Sequence, residues 1–356
     1  MKVSVVSMSE LTDEHLNVWS DIQLANPSID SPFFRPEFFD MVSMFRDDVF
    51  VAVLERCNGL GFFPFQKGPR NIGRPVGTPL SDFQGLIVPP GTQWDVAAVI
   101  RSCGLKSWHF DHLLISQTEF SKYQRAVVPS PYMDLSEGFD NYVRNRPHGG
   151  STSFSNLKRA MRSAGRYFGE LRFDFDTKDE KVFEQLVAWK RNQYALTDSL
   201  DPFTFPWATN LLEQIRKRHN KTFDGVVSAL YFGKRLAAAH FGIRSHGVLH
   251  YWFPAYDPDL AQYSPGMVCL LEIAKEANLR GISRIDLGKG PESYKRRLMS
   301  GANSVAEGSV TVHKSGQLLA YVRHRLESAS AIPVLGAPLR ALAKTNRRIR
   351  RRHRYR

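Results

Sequence analysis

The sequence predicts an α+β fold with mixed sheets, arranged as two consecutive domains. Three observations lead to this prediction. At 356 residues, the chain is longer than one hydrophobic core usually organises. In both halves, segments with a two-residue hydrophobic period alternate with segments of helical period, which is typical of sheets flanked by helices. A cluster of Pro, Gly, Ser and Thr interrupts this pattern between 137 and 155. The domains are therefore predicted at 1–140 and 141–315, followed by a helical segment and basic tail over 316–356.

The first half contains a helix, a hairpin and further strands. Ser31 and Pro32 are suited to open a helix whose apolar stripe includes Phe38, Phe39 and Val42. The stretch VFVAVLERCNGLGFFPF consists of two apolar runs about a Gly-containing turn and predicts a β-hairpin. A strand is predicted in SDFQGLIVPPG, a helix over 93–103, a strand in SWHFDHLLI and a short strand near YMDL. Together these elements predict an α+β domain.

The second half begins with a basic helix and a strand in FSNLKRAMRSAGRYFGELRFDFD, followed by two amphipathic helices. The pattern then changes to period two. Three antiparallel strands are predicted at Val226–Phe232, Arg235–Ser245 and Val248–Asp257, joined by tight turns at Gly233-Lys234 and His246-Gly247.

A crossover helix follows this three-strand meander. Ser264 fits an N-cap, Pro265 fits the first helical position, and Gly266 lets another backbone approach the first turn. Gly281 is expected to end the helix, and the strand SRIDLG that follows can then lie parallel to the third meander strand. This order of elements places a cleft between the two strands, with the basic helix SYKRRL at its exit.

Composition excludes several classes of protein. With 42% hydrophobic and 23% charged residues the chain is typical of globular proteins. It has no apolar run of the roughly 18 residues that a spanning helix needs, and its N-terminus turns acidic where a signal peptide is apolar. A cytoplasmic location is therefore predicted.

Cys57, Cys103 and Cys269 are widely separated, without metal-ligand spacing, and predict neither disulfides nor a zinc site.

The net charge of +13 is unevenly distributed, because the final stretch KTNRRIRRRHRYR carries more than half of the excess and no acidic residue. Such a tail attracts an anionic membrane surface or nucleic acid, and a solubilising tail is an equal alternative. No nucleic-acid-binding module precedes it, which disfavours nucleic acid. Peripheral association with the inner membrane is the corresponding hypothesis.

The motifs of the second half resemble a known family. HYWFPAYDP, YSPGMVCLLE, GISRIDLGKG and SYKRRL together resemble the acetyltransferase-6 (BioF2-like) group of the GNAT superfamily. FFRPEFF, GFFPF and SDFQGLIVPPG resemble the N-terminal half of the same group. This group includes acyltransferases associated with cellulose and other exopolysaccharide synthesis, and it is similar to the Fem peptidoglycan aminoacyltransferases.

This resemblance implies tandem GNAT-like domains and transfer of an acyl group from acetyl-CoA, or another acyl-CoA, to an amine or hydroxyl. No metal is implied. The backbone of Val248–Asp257 would hold the acyl carbonyl, and the first turn of the crossover helix would receive the pyrophosphate at its positive dipole end. The residues expected around the donor are Tyr256, Gln262, Ser264, Gly266 and Met267. The same turn also makes a good purely structural helix start, and its single Gly departs from the commoner Gly-rich phosphate loop of GNAT enzymes.

The candidate acids and bases are Asp286, Glu292, Tyr294 and His250. Tyr294 is the preferred acid for the departing thiolate, since GNAT enzymes often use a tyrosine just after this strand. Lys295 is expected either to pair with Asp286, steadying the loop, or to neutralise a phosphate. For His250, as for His240, a buried structural role is favoured over a base in the cleft.

Basic residues on the predicted helix of FSNLKRAMRSAGRYFGELRFDFD complete the candidate site. Lys158, Arg159 and Arg162 are expected either to bind phosphate groups or to form a solvated helix face. The acceptor suggested by the family is an amino sugar or other precursor of a surface polysaccharide, soluble or lipid-linked. Two alternatives stay open: a Fem-like aminoacyltransferase that uses aminoacyl-tRNA, and a non-catalytic scaffold of a polysaccharide-synthesis complex.

Overall fold

The computed structural model describes residues 2–56, 59–145, 151–290 and 292–312, without the side chains of 151–154. The strands of these residues are β1 (Lys2–Val6), β2 (Val49–Arg56), β3 (Gly59–Gly68), β4 (Ile72–Arg74), β5 (Ser107–Leu114), β6 (Gln124–Asp134), β7 (Leu171–Asp174), β8 (Asp224–Phe232), β9 (Arg235–Ser245), β10 (Val248–Tyr256), β11 (Arg284–Asp286) and β12 (Gly301–Thr311). Their α-helices are α1 (Asp13–Ala25), α2 (Pro36–Ser43), α3 (Val96–Ser102), α4 (Phe139–Asn145), α5 (Ser151–Phe168), α6 (Glu180–Leu196), α7 (Pro206–Lys217), α8 (Pro265–Leu279) and α9 (Ser293–Leu298).

The chain divides into two compact units that interleave in sequence. Of the described residues, the first unit comprises those up to Ile29, those of Phe39–Val127 and those from Val305, and the second comprises those of Asp30–Phe38 and Val128–Ser304. The consecutive boundaries inferred from the sequence stay a prediction. The predicted tail segment 316–356 lies outside the described residues.

The sheet of the first unit runs in the order β1-β2-β3-β4-β5-β12. Its neighbours are antiparallel except β4 and β5, which are parallel. The core includes Phe63, Phe65 and Trp108, all fully buried. The predicted hairpin is confirmed, because β2 pairs with β3 from Val49↔Gln66 to Arg56↔Gly59.

The sheet of the second unit runs β6-β11-β10-β9-β8-β7, with β10 and β11 as its parallel pair. The predicted meander and the parallel return through α8 are therefore confirmed, and so is the α+β class. Gly233 is required at the first turn of the meander, since a Cβ there would clash with the carbonyl of Phe168.

Helices cover both faces of this second sheet. Phe183 of α6 contacts Phe241 of β9, with 5.4 Å between ring centroids. The preceding residue of β9, His240, stacks on Tyr251 of β10, which packs in a core cluster with Val268 and Leu271 of α8. Because successive side chains of a strand point to opposite faces, α6 and α8 lie on opposite sides of the sheet.

The segment Asp30–Phe38 comes from the N-terminal part of the chain but packs within the second unit. Phe33 lies edge-on to His250 at 4.9 Å and to Trp252 at 5.4 Å, and Asp30 pairs with Arg284 of β11. The helix predicted to open at Ser31 begins instead at Pro36. Ser31 caps a short 3-10 turn over Pro32–Phe34, with its hydroxyl accepting from the N–H of Phe33 at 3.4 Å.

Two other differences from the sequence prediction concern strands. The strand expected in 81–91 forms only isolated bridges, Phe62↔Ile87 and Gln84↔Leu113, among the described pairings. Conversely, β1, β4 and β12 were not predicted. None of the helices in the described residues is long and apolar enough to cross a bilayer.

Candidate active site

The parallel pair β10 and β11 separates after three residues. The strands pair from Val248↔Arg284 to His250↔Asp286, where β11 ends, while β10 continues to Tyr256. After Asp286 the chain follows β6 instead, since the N–H of Leu287 donates to the carbonyl of Pro131 at 2.9 Å. The second half of β10 thus has no strand beside it on the β11 side in the described residues, and this gap is the predicted cleft.

A β-bulge lies where the cleft opens. On β10, His250 and Phe253 oppose Ile243 and Phe241 of β9, so three steps on one strand match two on the other. Such a bulge removes a backbone N–H from the ladder and directs it elsewhere. Gly242 fits opposite the bulge because a Cβ there would clash with the carbonyl of His250.

The first turn of α8 lies against the far end of β10. A Cβ on Gly266 would come within 3.3 Å of the Tyr256 ring, so these two predicted donor-binding residues are adjacent. Gln262, in the 3-10 turn before α8, is exposed, and Met267 is half-buried.

Ser264 occupies the N-cap position, as predicted, but it does not cap through its side chain. Its backbone is left-handed, with φ 53° and ψ 47°, and its hydroxyl makes no capping hydrogen bond. Its carbonyl accepts instead from the N–H groups of Met267 (3.0 Å) and Val268 (3.1 Å). Because Pro265 has no N–H, Gly266 is left as the open donor of the first turn.

Tyr294, on α9, is close to the α8 side of the cleft. It packs against the core cluster that contains Tyr251 and Cys269, and burial followed by the nearby charge of Glu292 raises its pKa above the ordinary value. The Tyr251 phenol, whose pKa burial also raises, interacts electrostatically with Cys269 and Tyr294. Both phenols are therefore protonated at physiological pH, and Tyr294 is able to donate a proton.

Asp286 and Lys295 do not pair with each other, so the predicted ion pair is wrong. Asp286 is buried, and its carboxylate accepts from Nε of Arg284 at 2.9 Å, because residues two apart on a strand share a face. Arg284 also donates to Asp30. Lys295 pairs with Glu292 at 3.1 Å and donates to the carbonyls of Gly288 (3.2 Å) and Lys289 (3.1 Å). Lys295 thus has the structural arrangement of a lysine that steadies the loop, but its carboxylate partner is Glu292 and not Asp286.

The two histidines are fully buried. His250 is covered by Phe33, and His240 is stacked on Tyr251 with 4.3 Å between ring centroids. Burial, and secondarily the charge of His250, lowers the pKa of His240 to about 3, so its ring is neutral. This geometry is that of the favoured structural role.

The basic side of α5 is exposed, and α5 lies beside the turn that precedes α8. Phe168 contacts Tyr263 at 5.7 Å between ring centroids, while Leu157 and Ala164 are buried against the core. The exposed basic residues of α5 are Lys158, Arg159, Arg162 and Arg166. Arg159 donates to Asn156 at 2.9 Å, and none of these four forms an ion pair with a described carboxylate.

One buried residue near the site was missed. Lys190 of α6 is only 9% exposed, and it interacts electrostatically with Glu292 and Lys295. The signal was present in the sequence, because Lys190 continues the apolar spacing of Phe183 and Leu186 along the helix.

Cysteine thiols and metal-binding side chains are the other groups that could carry chemistry. Cys103 and Cys269 are free and buried, and Cys57 lies outside the described residues. Across the part of the chain that the structure describes, no group of three or more His, Cys, Asp or Glu side chains is arranged to hold a metal ion.

Comparison with known proteins agrees with this geometry. Residues 151–296 match the family profile of the acetyltransferase (GNAT) domain. FemX is similar in structure, with a TM-score of 0.58, 7% identity, and coverage of 90% of this chain and 100% of FemX. A second similar structure is the C-terminal domain of a protein assigned as a lysylphosphatidylglycerol synthetase from Agrobacterium fabrum. Its TM-score is 0.51 and its identity 12%, and the match covers 87% of this chain and 95% of that domain.

At such low identities, these two structures show likeness of fold alone. No curated protein has significant sequence similarity to the chain. The family profile covers α5 through the first part of α9, which contains the bulge of β10, the start of α8 and Tyr294. The chain therefore carries an acetyltransferase domain of the GNAT superfamily at residues 151–296, and this domain supports an acyltransferase.

Proposed function

We propose that the protein transfers an acyl group from acetyl-CoA, or another acyl-CoA, to an amine or hydroxyl of a surface-polysaccharide precursor such as an amino sugar. The observation that carries the donor is the separation of β10 from β11 at a bulge, with the start of α8 at the far end of β10. The polysaccharide acceptor rests on the resemblance of the sequence motifs to acyltransferases of exopolysaccharide synthesis.

The residues present fit acyl-CoA. The N–H released by the bulge, at Tyr251 or Trp252, would hold the acyl carbonyl, and such a contact stabilises the oxyanion of acyl transfer. The open N–H of Gly266 and the basic face of α5 would receive phosphate groups. When bound, acyl-CoA supplies the activated acyl group as a thioester.

Two side chains would move protons. Tyr294 is a neutral phenol on the donor side of the cleft and would protonate the departing thiolate. Of the predicted catalytic residues, Glu292 has the exposed carboxylate, with 51% of its side chain accessible, and would accept a proton from the attacking amine. Asp286, held by Arg284, and His250, covered by Phe33, would support the strands around the cleft.

Calorimetric titration with acetyl-CoA tests the donor directly. We expect one molecule to bind per chain, and Arg162→Glu to weaken binding while Lys181→Glu, on the separate helix α6, leaves it unchanged. Release of free CoA in the presence of candidate amino sugars would then identify the acceptor. Absence of acetyl-CoA binding, with and without acceptor, would refute the proposal.

The second candidate function is Fem-like transfer from aminoacyl-tRNA. The specific observation that favours it is the row of four exposed, unneutralised cations on α5. Binding to a phosphate backbone falls steeply with salt. Tight tRNA binding with a strong salt dependence, together with no binding of acetyl-CoA, would select this function over the first.

A scaffold role is distinguished by the catalytic residues. If Tyr294→Phe and Glu292→Gln leave function in cells intact, the fold serves a complex without chemistry.

Peripheral membrane association rests on the basic tail, which lies outside the described residues. Truncation at Lys344 should reduce sedimentation with anionic vesicles, since each Lys or Arg near such a surface contributes about 1 kcal/mol. Unchanged sedimentation would exclude this role of the tail.

A further inference from the structure

The helix α6 carries a lysine on its apolar face. Val182, Phe183 and Leu186 are buried on this face, and Lys190 continues it at 9% exposure. Its Nζ donates to Oε1 of Gln193 at 3.1 Å and lies 5.7 Å from the centroid of the Tyr194 ring. An ammonium has three donors, so one hydrogen bond and an aromatic face leave this buried cation incompletely satisfied.

No carboxylate among the described residues lies within ion-pair distance of Lys190. Two charges act on Lys190: Glu292, which attracts it, and Lys295, which repels it. Glu292 is already paired with Lys295 at 3.1 Å. The half-exposed carboxylate of Glu292 thus pairs with Lys295, and Lys190 has no carboxylate partner of its own among the described residues. A buried cation without a counter-charge is unfavourable, and an anionic ligand would relieve this condition.

Lys190 is mainly a cation at neutral pH. Burial lowers its pKa to about 8, with a smaller opposing effect of Glu292. Most molecules are thus protonated at pH 7. An anion receptor fits this state better than a proton acceptor or a nucleophile, both of which need the neutral amine.

The position of Lys190 separates it from the donor side. It belongs to α6, and α6 covers the face of the sheet opposite α8. The helix α9 is near both faces, because Tyr294 packs against the core cluster of Tyr251 on the α8 side and the charges of Glu292 and Lys295 act on Lys190. A group that contacts Lys190 would therefore approach the cleft from the side away from the donor helix.

We propose that Lys190, in the field of the neighbouring Lys295 charge, binds a phosphate or carboxylate group of the acyl acceptor. The inference deepens the proposed function and rests on it, since an acceptor is defined only if acyl transfer occurs. It assigns the acceptor to anionic compounds, such as a sugar phosphate or an acidic sugar, and gives the specificity to a residue of α6.

The test is NMR titration of the full chain labelled with ¹³C at the lysine ε-carbons. The signal that disappears in Lys190→Gln is assigned to Lys190. If Lys190→Gln fails to fold, Lys190→Arg is used for the same assignment. Spectra are recorded from pH 6 to 10 in chloride, phosphate or acetate at equal ionic strength. We expect phosphate or acetate to raise the titration midpoint of Lys190 by about one pH unit or more, a tenfold change in proton affinity. The signal of exposed Lys181, on the same helix, should not respond to the anion.

A midpoint of Lys190 that is identical in chloride, phosphate and acetate would overturn the site. A shift produced by acetyl-CoA alone, as large as that by phosphate, would overturn its assignment to the acceptor. Both outcomes are independent of the calorimetric binding of acetyl-CoA, so a failure of this inference is distinguishable from a failure of the proposed acyl transfer.

Discussion

At the scale of single residues, the site combines groups that favour folding with groups that oppose it. Tyr294 is partly buried as a neutral phenol, which a protein core accepts. Lys190 is buried as a cation, and burial lowers its pKa because the charged form is disfavoured in the folded protein. Such a penalty is expected where a residue is kept for binding rather than for stability.

Replacement of Lys190 by Met should therefore stabilise the ligand-free protein at pH 7. The penalty of the buried cation is full below pH 8 and disappears as pH rises towards the unfolded value of 10.5. We expect the free energy of unfolding to rise by about 1–3 kcal/mol at pH 7 and the gain to vanish near pH 10.5. Denaturant unfolding at both pH values measures this, with Lys181→Met as the exposed control. A destabilised Lys190→Met at pH 7 would contradict it.

Replacement of Tyr294 by Phe removes only the phenolic proton. If this proton reaches the thiolate, kcat should fall by roughly 100-fold while the Kd of acetyl-CoA stays within about twofold. Because burial raises the pKa of the phenol, this residue should cause no loss of wild-type activity up to about pH 10. Tyr167→Phe, at a position 76% exposed on α5, is the matched control. Equal kcat values for Tyr294→Phe and wild type would exclude the role.

At the scale of elements, the bulge of β10 determines where a backbone donor becomes available. The bulge depends on Gly242. A Cβ at this position would clash with the carbonyl oxygen of His250 and would lie 2.7 Å from Cε1 of the His240 ring. The carbonyl is backbone and has little freedom to move away. The bulge and its glycine thus form one structural device.

Gly242→Ala is expected to reduce the free energy of unfolding by roughly 2 kcal/mol or more, through overpacking against the bulge. Thermal unfolding followed by circular dichroism measures the loss. Gly165→Ala in α5 is the control, since a Cβ there meets nothing within 4 Å and should stabilise the helix by about 0.5–1 kcal/mol. A Gly242→Ala protein as stable as wild type would show that the strand relaxes around the bulge.

Sequence periodicity was sufficient for the meander, α8 and the parallel return, because each has strong local signals such as Gly233 and Gly281. It was insufficient where long-range contacts decide. The pairing of Asp286 with Arg284 rather than Lys295 depends on which side chains share a strand face beside Asp30. The left-handed Ser264 is a second case, since its sequence is that of an ordinary N-cap. Lys190 was missed because one lysine in an apolar helix face is weak evidence by itself.

At the scale of the whole molecule, the second unit is not one continuous segment. It includes Asp30–Phe38, which covers His250, and most of β6, which pairs with β11 from Asp134↔Arg284 to Tyr132↔Asp286. The region matched by the GNAT profile, 151–296, contains neither. The acetyltransferase domain as a sequence family and the compact unit of this protein therefore differ in extent.

A fragment of residues 141–315 should accordingly fail to fold cooperatively. It would expose the edge of β11 and leave Phe33 absent from His250. Circular dichroism and thermal unfolding of the fragment, compared with the full chain, test this. Addition of fragment 1–140 should restore a cooperative transition. A cooperative transition of 141–315 alone would contradict the expectation.

The pairing of β12 with β5 has a consequence for synthesis on the ribosome. The first unit needs Val305–Thr311 to complete its sheet beside Ser107–Leu114. At about 5–20 residues per second, the translation machinery makes β12 on the order of 10–30 s after β6. During that interval the nascent chain has an unpaired edge at β5, and neither unit is able to finish folding much before the other.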